Sequence, residues 1–151
     1  MGVIEEIRIH GKKRKILRFC SQVMTLFYYM ESKYGLERGL PPMAEVKENL
    51  KRIHSFCMEH YLVKAFAWKM GGTLSYSFDP EIDGVVANRK GSPIAVLEVK
   101  WKDLKKRDVI RFDEKTSGFD CDRMILTRNW SGGKIGCVRI LAEDEIKDFL
   151  S

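Results

Sequence analysis

The sequence predicts a mixed α/β fold in which one sheet is flanked by helices, and three observations carry that prediction. Ile82, Val85, Val86 and Ala87, and then Ile94, Ala95, Val96, Leu97 and Val99, form two β-rich apolar runs. Between them Asn88, Arg89, Lys90 and Gly91 have hairpin-turn chemistry. Ahead of this hairpin, two long segments repeat apolar residues every three or four positions, as amphipathic helices do. Behind it follow a helical segment, two short strand-like runs and a closing helix. In a chain of 151 residues, 44% of them hydrophobic, that order implies one domain with a mixed sheet and one core.

Taken in order, residues 1–11 read as a short strand or a loose lead-in ending at Gly11. Lys12 to Tyr34 reads as a helix whose buried stripe is Ile16, Phe19, Cys20, Val23, Phe27 and Met30, stopped by Gly35. The aromatic residues Phe27, Tyr28, Tyr29 and Tyr34 read as core or subunit interface rather than as a base-stacking platform. Leu36 to Pro42, with Gly39 and the Pro41-Pro42 pair, is a connector that excludes helix. A second helix is expected from Met43 to Leu62, with Val46, Leu50, Ile53, Cys57 and Tyr61 on its apolar side. Glu48, Arg52, Ser55 and Glu59 make another stripe on it, with Glu48 and Arg52 placed to pair on the surface. Glu59 falls at the end of that helix, beside Phe56, Met58 and Leu62.

Val63 to Trp68 is a short β-like run, Gly71-Gly72 a turn, and Thr73 to Phe78 a strand leading into the hairpin. Lys102 to Lys115 reads as a helix with Asp103 as N-cap and Leu104, Val109, Ile110 and Phe112 as apolar members, ended by Ser117-Gly118. Arg123 to Thr127 and Ile135 to Leu141 are short strands around a Trp130 to Gly133 turn, and Glu143 to Leu150 is an amphipathic helix. The chain divides into an N-terminal helical extension, 1–42, packed on a core, 43–151.

Composition limits the function. No apolar run approaches membrane-spanning length, and the N-terminus places charges where a signal peptide needs an apolar region, so a cytoplasmic protein is expected. Cys20, Cys57, Cys121 and Cys137 lack the paired short spacing of zinc sites and read as reduced and mostly buried. His54 and His60 are six apart, which does not align them on a helix face. Gly71-Gly72 and Gly132-Gly133 lack the strand-to-helix context and the Lys-Ser/Thr of a phosphate-binding loop. The net charge of +6 is all N-terminal: residues 1–70 hold 13 Lys and Arg against 7 Asp and Glu, and residues 71–151 hold 14 against 14. A basic half suits a polyanionic partner, and equally a solvated surface.

The chemistry is in the hairpin. Glu98 and Lys100 share one face of the second strand while Val99 points away, and such charges at the end of an apolar strand are costly to bury unpartnered. A hard divalent cation supplies a reason for them. Asp83 and Glu98 bring two carboxylates together with the Val99 carbonyl as a third oxygen, a set that suits Mg²⁺ or Mn²⁺. Lys100 then stands beside the metal, placed to orient a water and offset charge on a phosphoryl group. Glu81 shares a face with Asp83 and is either the true ligand or a border of the site, and Lys115 reads more readily as a solvated charge than as a substrate contact. A buried ion-pair network among Asp83, Glu98 and Lys100 is the alternative reading.

Asp83 in the run Pro80-Glu81-Ile82-Asp83, fourteen intervening residues and then Glu98-Val99-Lys100 resemble the PD-(D/E)xK nuclease superfamily, of restriction-endonuclease-like fold. Over most of the chain, RFCSQVMTLFYYMESKYGLERG, CMEHYLVKAF, Trp68, EIDGVV and LEVKW are similar in order and spacing to a C-terminal domain of archaeal AAA-type ATPases assigned to that superfamily. The resemblance implies a metal-dependent DNA endonuclease. Glu59 corresponds to the helical acid, Asp83 to the metal-binding acid, and Glu98 and Lys100 to the acid and lysine of the second strand. No Walker-type loop is present, so the resemblance implies the appended domain standing alone. DNA, a separate AAA-type ATPase and a second copy in a homodimer are the implied partners. A non-catalytic module that binds DNA or docks on the ATPase is the alternative.

Overall fold

Five of the six residues from Ile94 to Val99 are apolar because the strand they form is covered on both faces. The computed structural model describes residues 3–35, 37, 39, 41–101, 103–132 and 135–151, without the side chain of residue 45. In chain order its elements are β1 (Ile4–Ile9), β2 (Lys15–Phe19), α1 (Gln22–Tyr34), α2 (Met43–Lys69), β3 (Thr73–Phe78), β4 (Glu81–Ala87), β5 (Pro93–Lys100), α3 (Lys106–Lys115), β6 (Asp122–Thr127), β7 (Val138–Leu141) and α4 (Glu143–Leu150). The strands form one mixed sheet in the order β2-β1-β3-β4-β5-β6-β7. β1–β2, β3–β4 and β4–β5 are antiparallel, whereas β1–β3, β5–β6 and β6–β7 are parallel. The expected mixed α/β fold is therefore present, and among the described residues no helix is long and apolar enough to cross a membrane.

Successive residues of β5 feed opposite layers. On one face Ala95, Leu97 and Val99 meet Leu62, Val63, Phe66 and Ala67 of α2 and Ile146 of α4, with Phe66 stacked on Phe149 at 4.5 Å. On the other, Val96 joins Val85, Ile125 and Val138 beneath Val109 and Phe112 of α3. Full burial of a side chain such as Phe66 or Phe112 contributes roughly 1.5–3 kcal/mol.

Several expected elements differ. Lys15 to Phe19 is a strand, since its register from Phe19↔Ile4 to Lys15↔Arg8 pairs it with β1. Ile16 and Phe19 stand at helical spacing, and pairing with β1 overrides it. The N-terminal segment therefore adds two strands to the sheet besides its helix. α1 starts only after Ser21, whose hydroxyl accepts the Met24 N–H, and ends at Gly35 in the left-handed conformation. Its expected buried stripe is not buried: Met30 is, but Val23 is 73% and Phe27 52% exposed, and Tyr28 is exposed as well.

α2 runs on to Lys69, so Val63 to Trp68 is helix and not strand. Leu62, Val63, Phe66 and Ala67 recur at helical spacing, which turns the buried face there and leaves Tyr61 exposed. Arg52 donates to the Tyr29 hydroxyl at 2.8 Å. α3 starts at Lys106 and not at 102, and Asp103 precedes it; Asp108 accepts the Lys105 N–H at 3.1 Å instead. β7 starts at Val138, with Ile135 only bridged to it. Of the cysteines, Cys57 is buried whereas Cys20 and Cys137 are exposed. The connector expected from Leu36 to Pro42, the helix start at Lys102 and the Gly132-Gly133 turn each include positions outside the described residues.

One glycine sets the spacing between helix and sheet. A Cβ on Gly84 would lie 2.9 Å from the Val63 Cβ, so only glycine lets α2 settle this closely on β4. Glu59 stands one turn before Val63, and Asp83 immediately precedes Gly84. The contact thus carries an α2 carboxylate toward a β4 carboxylate.

Candidate functional site

Where the β4–β5 ladder ends, a side chain takes over from backbone. Its last paired residues at this end are Gly84↔Leu97. Beyond them, the Asp83 Oδ2 accepts the Val99 N–H at 2.8 Å. In an extended strand the N–H and C=O of one residue point to the same side. The Val99 carbonyl is therefore directed toward the Asp83 side of β5.

Glu98 is 7% exposed and is gripped from two elements. Its Oε1 lies 2.6 Å from the Lys100 Nζ and its Oε2 2.6 Å from the Lys115 Nζ. Lys115 also donates to the Glu81 carbonyl at 2.8 Å. Lys115 is thus no solvated charge but the α3 contribution to the site. Sequence alone gave little sign of it, because its partners lie 17 and 34 positions away. The Glu81 side chain is exposed and borders the cleft.

Glu59 lies midway along α2 rather than at its end, and the fold brings it to the same cluster. Burial and the Asp83 charge push its carboxyl above the ordinary value, with Lys100 opposing. Burial and the Glu98 charge likewise push the Asp83 carboxyl up, against the Val99 hydrogen bond and the two lysines. Burial works against the Lys100 charge, yet the Glu98 hydrogen bond and the charges of Glu98, Asp83 and Glu59 hold its ammonium above the ordinary value. The four expected residues Glu59, Asp83, Glu98 and Lys100 therefore form one electrostatic unit.

Among the described residues, no three His, Cys, Asp or Glu side chains converge as a closed metal cage would require. Mg²⁺ needs fewer, one or two carboxylates with the remaining positions left to water and phosphate. Asp83, Glu98 and the Val99 carbonyl are the donors that fit it, and a cation between the two acids would relieve the repulsion that raises Asp83. Glu98 must then release at least one lysine.

Two cavities of about 490 Å³ each share Glu81 and Asp83. One is the acidic cleft itself, with Glu98, Lys100, Arg111 and Lys115. The other opens toward α2 and β2 and is walled by Phe19, Phe56 and Phe78, with Arg18, Glu59, His60, Tyr76 and Ser77 among its polar members. Behind it a hydrogen-bonded chain runs in one direction. Arg18 donates to the Tyr76 hydroxyl at 3.2 Å, Tyr76 donates to His60 Nδ1, and His60 Nε2 donates to Glu5, which Lys64 also holds. Burial and the Arg18 charge lower the His60 pKa to about 4, so its ring is neutral at pH 7 and this tautomer satisfies both nitrogens.

The N-terminal basic residues gather elsewhere. Arg8, His10, Lys12, Lys13 and Arg89 line a further cleft of about 710 Å³ that reaches the β4–β5 turn. At roughly 3.3 Å per residue, that turn is about 15 Å along β4 from Asp83. No family model matches the chain, and neither a curated protein nor a solved structure matches it.

Proposed function

We propose that this chain is a metal-dependent nuclease that hydrolyses phosphodiester bonds of DNA, of the PD-(D/E)xK type that its hairpin resembles. The observation that carries the reading is the end of the β4–β5 ladder. There Asp83 is fixed on the Val99 N–H while Glu98 and Lys100 stand beside it at the rim of an open cleft. Held by Asp83, Glu98 and the Val99 carbonyl, Mg²⁺ or Mn²⁺ would supply a Lewis acid that draws charge from the phosphoryl group. Lys100 keeps its proton, so it acts as a charged donor that orients the attacking water and offsets charge on the phosphate oxygens. Lys115 and Arg111 supply further positive charge on the α3 side. Glu59 brings a further carboxylate from α2 toward Asp83. The basic cleft by the β4–β5 turn gives the same polyanion a second hold. The cytoplasm is the compartment this reading assigns.

One observation favours a second reading. Both Glu98 oxygens are already engaged by lysines, as in a charge set that has come to neutralise itself. On that reading the chain binds DNA, or docks on a separate AAA-type ATPase, without turnover.

Labelled duplex, nicked, branched and single-stranded DNAs incubated with Mg²⁺ or Mn²⁺ separate the two. Cutting by the wild-type chain that needs metal, and that disappears in Asp83→Ala and Lys100→Ala, is the expected result. Binding without cutting, or equal cutting by both variants, sinks the catalytic reading.

A further inference from the structure

Phe56 and Phe78 are 51% and 57% exposed, and the two rings stand on one cavity rather than scattered singly. Both line the α2-side cavity, which shares Asp83 with the acidic cleft. The Arg18 guanidinium lies 4.3 Å from the centroid of the Phe56 ring, so that ring already carries a cation on its face. The polar groups behind are saturated: Tyr76 and His60 complete the chain from Arg18 to Glu5. The cavity therefore offers phenyl walls for stacking, with the carboxyl groups of Glu59, Glu81 and Asp83 also on its lining; stacking on aromatic walls is how proteins hold nucleobases without reading their identity.

We propose that this cavity takes an unpaired nucleobase next to the phosphate bound at Asp83, so that the preferred substrate is single-stranded or frayed DNA. The inference rests on the nuclease reading for the phosphate but on different residues for the base. A base in duplex has both faces stacked and its pairing edge occupied, and it reaches a walled cavity only by leaving the helix, at a cost of a few kcal/mol. A strand already unpaired avoids that cost. Because Asp83 borders both cavities, a nucleotide whose phosphate sits in one has its base at the mouth of the other.

Binding of a fluorescein-labelled ten-nucleotide oligo-dT, measured with Ca²⁺ in place of Mg²⁺, tests this apart from cutting. The wild-type chain is expected to bind it at least about tenfold more tightly than the same strand annealed to its complement. Phe78→Ala and Phe56→Ala, at exposed positions where the core is undisturbed, are expected to weaken it about tenfold each. An abasic residue scanned through the oligonucleotide should reproduce that loss at one position on the wild type, and add little on Phe78→Ala. Equal affinity for duplex, or indifference to both the phenylalanines and the abasic residue, overturns the proposal. Base-dependent binding without metal-dependent cleavage keeps the cavity assignment and removes the nuclease. Metal-dependent cleavage of duplex that is unchanged by Phe78→Ala does the reverse.

Discussion

Around Asp83 the fold brings like charges together, whereas around His60, on the neighbouring part of α2, it gives each group a partner. Glu59, Asp83 and Glu98 come from three elements, and two of them are held above their ordinary carboxyl values by burial and by one another. Arg18, Tyr76, His60 and Glu5 come from four elements and form one directed hydrogen-bond chain. Burial would raise the Glu5 carboxyl, but Lys64 and His60 pull it below the ordinary value. Both clusters are partly buried and both are rich in ionisable groups. The first is organised against stability and the second for it, and that difference, not the mere presence of charges, is what makes the Asp83 cluster the candidate site.

The largest expected effect breaks the comparison by activity. Lys100→Met should lower metal-dependent cleavage on the order of 10²–10³-fold, as loss of one positioned donor does, and should cost some stability because it takes one lysine from the buried Glu98. His60→Ala, which leaves the reacting groups in place, should change cleavage far less. Single-turnover rates on a labelled strand measure both.

The next effect is in acid. His60 titrates near 4 in the folded chain and near 6.5 when unfolded, so the unfolded state binds the extra proton between those values. The stability from its neutral ring is fully present above about 6.5 and is lost as pH falls toward 4, by up to about 3 kcal/mol. Denaturant unfolding at a series of pH values should show that slope in the wild type and a flatter one in His60→Gln.

Tyr76→Phe removes the donor to His60 Nδ1 and the acceptor for Arg18, and should cost about 1–3 kcal/mol of stability. Its unfolding midpoint in urea reports this. The smallest effect has the opposite sign. The Asp83 carboxyl is raised on folding, so its charge opposes folding at every pH above its folded value, and that cost disappears once it is protonated. Asp83→Asn keeps an oxygen for the Val99 N–H and removes the charge, so it should raise stability at pH 7 while abolishing cleavage. A lower melting temperature for Asp83→Asn would mean that the two clusters are not opposites after all.

Legibility in the sequence followed the range of the interactions. The hairpin and its Asp83, Glu98 and Lys100 were readable because turn chemistry and alternation are local, and α4 because its amphipathic pattern has little to compete with it. Lys15 to Phe19 was not, since its strand state depends on pairing with Glu5 and Ile7, across a turn the helical spacing of Ile16 and Phe19 had hidden. The Val63 to Trp68 run has strand-like composition, and only its contact with Gly84 and Val86 makes it the buried end of a helix. Lys115, Arg18 and Tyr76 had no local signature, because each acquires its role from an element far along the chain.

The sheet is not sewn with equal strength throughout. β5 and β6 match at six positions, whereas β1 and β3 match only at Arg8↔Ser75 and Ile9↔Tyr76. Across that seam of two rungs lies β2, which supplies Ile16, Leu17, Arg18 and Phe19 to the wall of the α2-side cavity. Amide protons along β1 and β2 should therefore exchange with solvent before those of β5 and β6. The β2 wall of the cavity is thus joined to the rest of the sheet by its fewest backbone rungs, and side chains, Arg18 to Tyr76 and Glu5 to His60, tie it across the same seam.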